Sequence, residues 1–270
     1  MYTLSKLASR TGMIGKPLPE PCGFYSWTPA GVQFRRGATS MIAGVPGSFK
    51  SILALNMAAY WSSKQNMSIL YFSADSDEYT VGRRIAGIVT GQSQETVESN
   101  MDVDAHYYDN ELASLGDIEF VYDRMGVEGV KDYVEAFEMV YGSYPEIAFI
   151  DNLIDFADSP DDWGGMLLFI RAMDALARKT KTHICILHHA KIRTENKRAG
   201  WPPGDWEISG KVTQLSRLVV TVAAEDRRLY WAPVKNSNGP QDREANMRYG
   251  FYVQESMRIK DTGKRDTDNG

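Results

Sequence analysis

Cysteine is nearly absent from this 270-residue chain: the two present, Cys22 and Cys185, lie far apart in sequence. That excludes a disulfide framework and a cysteine-rich metal cluster, and it suits a reducing compartment. Long hydrophobic runs are also missing. Nowhere do about 18 apolar residues follow one another, and no apolar segment stands behind a basic start, so neither a membrane span nor a secretory signal is expected. Nor is there an excess of positive charge. The 30 Lys and Arg residues face 35 Asp and Glu, for a net charge of -5, so the surface as a whole does not advertise nucleic-acid binding. Any such binding must come from local basic loops. The absences together predict a cytoplasmic protein.

What remains is ordinary for a globular chain, with 43% hydrophobic and 24% charged residues. The length fits one α/β domain with a short extension at each end. Residues 1–37 carry Pro17, Pro19, Pro21 and Pro29 among glycines and aromatics, which predicts an arm or linker. From Ala38 onward, apolar runs alternate with helical patterns. Strands are expected at Thr39–Ala43, Ser68–Ser73, Ile118–Tyr122, Ile147–Asp151 and Thr182–Leu187, with helices at Ser51–Ser63, Glu78–Val89, Val127–Tyr141 and Met166–Thr180. In the last helix Met166, Phe169, Ile170, Met173, Leu176 and Ala177 share one face, and Ser159-Pro160-Asp161-Asp162 reads as its start signal. Such alternation implies a mostly parallel sheet flanked by helices. Leu218–Ala223, Leu229–Val234 and Arg248–Val253 read as further strands joined by turns, hence antiparallel at the C-terminal end. The domain is expected over residues 38–258. The apolar-free run after Ile259 predicts a disordered tail over 259–270.

The sharpest signal is Gly44-Val45-Pro46-Gly47-Ser48-Phe49-Lys50-Ser51, between a strand and an apolar helix. Small residues there let backbone N–H groups converge on phosphate oxygens at a helix N-terminus. Lys50 would reach the β- and γ-phosphates of ATP and the Ser51 hydroxyl would ligate Mg²⁺. The usual motif has glycine immediately before the lysine, where this chain has Phe49. Ile147-Ala148-Phe149-Ile150-Asp151 ends an apolar strand in a carboxylate and supplies the second group on the metal side. Asp75, after the strand Leu70–Ala74, is the leading candidate to orient or deprotonate water, with Asp77 in reserve.

Together these residues resemble the RecA/DnaB superfamily of P-loop ATPases, particularly the ATPase core of DnaB-type replicative helicases, with phage and plasmid RepA-like ATPases among the relatives. The resemblance implies a RecA-like P-loop NTPase fold of class α/β. Ala30-Gly31-Val32-Gln33-Phe34 is similar to that family's lead-in to the loop. Asp75 takes the place of the family's catalytic carboxylate, more usually glutamate. His189, in Leu187-His188-His189-Ala190-Lys191, takes the place of its γ-phosphate sensor. Ser209-Gly210-Lys211-Val212-Thr213-Gln214 resembles its serine-glycine-x-hydrophobic-x-glutamine motif. In Val234-Lys235-Asn236-Ser237-Asn238-Gly239-Pro240, Lys235 matches a lysine that reaches a neighbouring subunit's nucleotide. Ser237 stands where the family has an arginine finger, leaving Arg243 as a substitute. A histidine pair also suggests zinc, but no third ligand lies at suitable spacing.

The loop over residues 190–208 interleaves Lys191, Arg193, Lys197 and Arg198 with Trp201 and Trp206. Basic groups there would meet phosphates and an indole would stack on a base; with Lys211, these are the candidate nucleic-acid contacts. The function implied is an ATP-dependent helicase or translocase core on single-stranded DNA. It would hydrolyse ATP with Mg²⁺ at subunit interfaces of a homo-oligomer, a hexameric ring or a filament, in the host cytoplasm if phage-encoded. The alternatives are a RecA-like recombination or repair ATPase, a nucleotide-binding regulator with little turnover, and a nuclease holding metals on Asp151, Asp155 and Asp158.

Overall fold

The structure, a computed structural model, describes residues 14–21, 24, 26–116, 118–156, 163–191 and 200–267. Nine strands form one sheet: β1 (Thr39–Gly44), β2 (Ile69–Ser73), β3 (Ile118–Val121), β4 (Ile147–Asp151), β5 (His183–His189), β6 (Leu218–Glu225), β7 (Arg228–Asn236), β8 (Met247–Val253) and β9 (Ile259–Thr267). Their spatial order is β3-β2-β4-β5-β1-β6-β7-β8-β9. From β3 through β6 every pairing is parallel, and β6 through β9 are antiparallel. Strands β1, β2 and β4 are buried along their whole length. Helices on both faces of a parallel sheet demand this, which is why these strands read as unbroken apolar runs.

The helices are α1 (Lys50–Gln65), α2 (Glu78–Thr90), α3 (Gln94–Val103), α4 (Asp109–Leu112), α5 (Val127–Tyr141) and α6 (Trp163–Thr180). Helix α2 starts where the Asp77 carboxylate accepts the Thr80 N–H at 2.8 Å, buries Val81, Ile85 and Ile88, and stops at Gly91 with φ 81°. The expected buried stripe of α6 is present; its start signal at 159–162 lies outside the described residues. Helix α3 had no expectation behind it. Only Val97 of its ten residues is buried, so no apolar period marks it, and its sequence signal is the Ser93 cap, whose hydroxyl accepts the Thr96 N–H at 3.2 Å.

Both ends of the chain differ from the sequence reading. Phe24, Trp27 and Phe34 are at most 3% exposed, so this part of the expected arm belongs to the core. They join Trp61, Trp231 and Phe251 in one aromatic layer, with Phe24 stacked on Phe251 at 4.5 Å between ring centroids and Trp27 edge-on to Trp231 at 5.6 Å. Prolines and glycines set the turns of this stretch, while scattered aromatics, lacking any period, do the packing. The expected disordered tail is instead largely β9, paired with β8 from Val253↔Ile259 to Met247↔Thr267. An edge strand needs backbone partners on one side only and tolerates lysine and aspartate, so its charge imitates disorder.

Candidate functional site

Strand β1 lies between β5 and β6, and the loop after it is held tightly. A Cβ on Gly44 would stand 2.5 Å from both the Ser48 Oγ and the Val222 carbonyl oxygen, so glycine is required there. Gly47 has φ 77°. Phe49 is left-handed, with φ 61° and ψ 23°, at the position before α1. That backbone explains why glycine is usual here; it costs a residue with a Cβ about 1–2 kcal/mol. The Phe49 side chain packs against the core on the sheet face that carries α1. With Met257 it lines both the phosphate-loop cleft and a second cleft beyond it, which Ser93, Gln94, Arg227 and Gln254 also border.

Helix α1 opens on Lys50 and Ser51, which places both at the loop's mouth. The Lys50 Nζ folds back to donate to the carbonyl oxygens of Gly44 and Val45, each at 3.0 Å. Burial lowers its pKa to about 8, against the opposing pull of Asp151 and Asp75. Asp151, 5% exposed, ends β4 facing the same cleft. One of its oxygens, Oδ2, accepts the Tyr71 hydroxyl at 2.9 Å, and the Ser51 side chain lies beside the same carboxylate. Burial raises the Asp151 pKa, and the neighbouring Ser51 and Tyr71 hydroxyls and the Lys50 charge hold it down.

The cleft, about 330 Å³ in volume, is closed on its other sides by Asp75, Ser76, Arg84, Asn152 and His189. The structure thus brings together the phosphate loop, Lys50, Ser51, Asp75, Asp151 and His189, from distant parts of the sequence. His189 is half-buried, and its Nδ1 is a buried atom without a hydrogen-bond partner. Its pKa is lowered, by burial first and by Lys50 second. His188 points elsewhere: its Nε2 meets the Ser209 carbonyl oxygen at 3.1 Å, and burial lowers its pKa to about 4. Asp77 caps α2, both oxygens engaged by Thr80, so it is not a second water-orienting group. Sequence reasoning missed Arg84, Asn152 and Tyr71. Arg84 lies on α2, nine residues after Asp75, where no motif or period singles it out.

The remaining expected residues lie outside this cleft. Lys235 is half-buried and donates to the carbonyl oxygens of Thr213 (2.7 Å) and Gln214 (2.8 Å). Ser237 and Arg243 are exposed. Asp155 is paired with Arg124 at 3.1 Å, and Asp158 lies outside the described residues; among the described residues no group of three or more acids, histidines or cysteines is placed to hold a metal. Of the candidate nucleic-acid contacts, Lys191 is exposed, whereas Arg193, Lys197, Arg198 and the Lys211 side chain lie outside the described residues. Trp201 corrects an expectation. It is 8% exposed, donates to the Ala245 carbonyl oxygen, and lies under the Arg248 guanidinium, which stands 4.6 Å from its ring centroid and 3.9 Å from that of Tyr230. An indole pinned there serves packing. Trp206 is 62% exposed.

Comparison with known proteins gives a consistent placement. Residues 30–195 match a family model described as an AAA domain. The chain is 24% identical over 281 aligned positions to the "Gene 65 protein" of Mycobacterium phage L5, covering 97% of this chain and all of that one. It is 25% identical over 235 positions to the Gene 65 protein of Mycobacterium phage D29, covering 82% and 98%. Among solved structures, one described as an ATPase domain superposes with TM-score 0.74 at 13% identity, over 95% of each chain. A DnaB-like replicative helicase, described with its interactions with primase, gives TM-score 0.73 at 14% identity, over 94% of this chain and 64% of that one. A KaiC-like protein of Pyrococcus horikoshii gives 0.61 at 12%, over 91% and 98%.

Proposed function

Since this chain belongs to the AAA-domain family, as a P-loop ATPase with a RecA/DnaB-like fold, we propose that it couples magnesium-dependent ATP hydrolysis to movement along single-stranded DNA. The observation that carries the nucleotide part is the convergence of Lys50, Ser51, Asp75, Asp151 and His189 on one glycine-cradled cleft. The fit is physical: a loop closed to any Cβ at Gly44, a buried ammonium resting on loop carbonyls, and a buried carboxylate beside the serine that opens the helix.

In this reading the loop N–H groups bind the β-phosphate and Lys50 turns from its carbonyls to the γ-phosphate. Mg²⁺, when bound, neutralises charge on the β- and γ-oxygens, and the Ser51 hydroxyl with Asp151 would hold it. Asp75, exposed at the rim, orients and deprotonates the attacking water. His189 and Arg84 face the γ-phosphate, Arg84 adding positive charge from within the chain. The nucleoside extends past Phe49 and Met257 into the second cleft. Lys235 and Arg243, outside their own cleft, would serve the cleft of a neighbouring copy in a ring.

Lys191, the basic segment that follows it and exposed Trp206 supply the DNA contact, in a cytoplasmic protein. Among the described residues no helix is long and apolar enough to cross a membrane. Steady-state ATP turnover with and without single-stranded DNA, beside a mass measurement in ATP, tests this. Stimulation by DNA and a closed ring are expected. A helical filament that pairs strands would favour the recombination reading, and turnover surviving Lys50→Ala would refute the site.

A further inference from the structure

The group nearest Asp151 on the sheet side has no place in the reading so far. Tyr71 lies on β2 and is 1% exposed. Strands β2 and β4 run parallel with Ser73 opposite Asp151, and a strand's period of two puts Tyr71 on the same sheet face as Ser73 and hence as Asp151. The phenol oxygen ends 2.9 Å from Asp151 Oδ2. Its ring is clamped, stacked on Phe149 at 5.2 Å between centroids and tilted against Phe120 at 5.3 Å. A tyrosine so enclosed cannot swing away without opening the core.

The other hydroxyl beside this carboxylate, that of Ser51, has two calls on it, since a metal-bound nucleotide would draw it away from Asp151. The Tyr71 hydroxyl has one. We propose that Tyr71 is a positioning residue: it fixes the Asp151 carboxylate through Oδ2, so that the remaining oxygen faces the magnesium site both before and after Ser51 turns to the metal. The role rests on the magnesium–nucleotide reading above. It acts through Asp151 alone, since Tyr71 does not border the cleft. Without the phenol, Oδ2 is a buried acceptor lacking its donor, and the carboxylate is free to rotate toward Ser51 or Lys50.

Tyr71→Phe removes one oxygen and keeps both ring contacts, so the fold is retained, as a single cooperative melting transition lowered by only a few degrees would verify. The affinity of full-length protein for a fluorescent ATP analogue is measured in EDTA and in saturating magnesium. Wild type is expected to bind more tightly with magnesium. In Tyr71→Phe that gain falls about tenfold, in line with the loss of a bond to a charged group, while the affinity in EDTA stays within about twofold. In turnover, the magnesium concentration for half-maximal rate rises and the KM for ATP at saturating magnesium does not. Phe120→Leu, which loosens the ring and leaves the hydroxyl, retains the magnesium gain. An unchanged gain in Tyr71→Phe, or an equal loss in Phe120→Leu, overturns the role. A wild type indifferent to magnesium instead overturns the metal reading on which it depends.

Discussion

Replacing Phe49 by glycine and, separately, by alanine isolates the strain stored in the phosphate loop. Both variants lose the same partly buried ring, which packs against the core beside Met257. Full burial of a phenylalanine is worth roughly 1.5–3 kcal/mol, so partial burial here contributes about 1–1.5 kcal/mol. Alanine keeps the Cβ that φ 61° disfavours, whereas glycine releases about 1–2 kcal/mol of that strain. Glycine then returns about 0.5–1 kcal/mol as greater freedom of the unfolded chain. Phe49→Ala should therefore destabilise by about 1–1.5 kcal/mol and Phe49→Gly by roughly 0–1 kcal/mol. That reverses the order these two residues show inside helices. In a domain of this size about 0.5–1 kcal/mol moves the melting temperature by roughly 1–3 °C, measurable by thermal denaturation without nucleotide. An alanine variant as stable as the glycine variant, or more so, refutes the reasoning.

Other outcomes follow from the same cleft and its surroundings. Because the Lys50 pKa is lowered to about 8 by burial, the empty protein is destabilised by this charge below that pH, and the penalty is relieved as pH rises from about 8 toward the ordinary lysine value of 10.5. A triphosphate reverses the sign: it holds Lys50 charged, so ATP affinity by calorimetry should be level below about pH 8 and fall above it, and a flat profile to about pH 10 in wild type would remove Lys50 from the phosphate contact. Arg84→Ala should lower kcat at least about tenfold with little change in KM if its charge acts on the γ-phosphate in the transition state; a rise in KM alone would make it a binding group. The double change Lys197→Ala with Arg198→Ala should weaken single-stranded DNA binding and flatten its salt dependence by about two phosphate contacts, leaving DNA-free hydrolysis intact. Equal loss of both activities would deny separate sites.

Much of the centre of the fold was legible in the sequence because its rules are local. Buried parallel strands such as Ile147–Asp151 must be apolar throughout, and a loop closed to Cβ atoms at Gly44 must use glycine there. The cleft was legible through the same segments, since each strand end delivers its last side chain to one edge of the sheet. What escaped obeys no short period. Phe24, Trp27 and Phe34 enter the core from irregular backbone, and Ile259–Thr267 is a strand held by pairing rather than burial. Trp201 read as a stacking platform because nothing in its neighbourhood announces Arg248, 47 residues later, closing over it. Tyr71 looked like one more strand residue, because its partner lies 80 positions away.

The stretch around residues 24–34 and the last strand meet each other: the Ser26 N–H donates to the Asp261 Oδ2 at 2.7 Å, and the Ile259 N–H donates to Asn56 on α1 at 2.9 Å. Segments near residue 26 and residue 260 thus roof the same aromatic layer. A protein growing from its N-terminus on a ribosome releases Phe24 and Trp27 long before the strands that cover them. Until Trp231 and Phe251 follow, Trp27 and Phe24 have nothing of that layer to lie against, so an apolar surface stays wet and closure waits on contacts more than 200 residues apart in sequence.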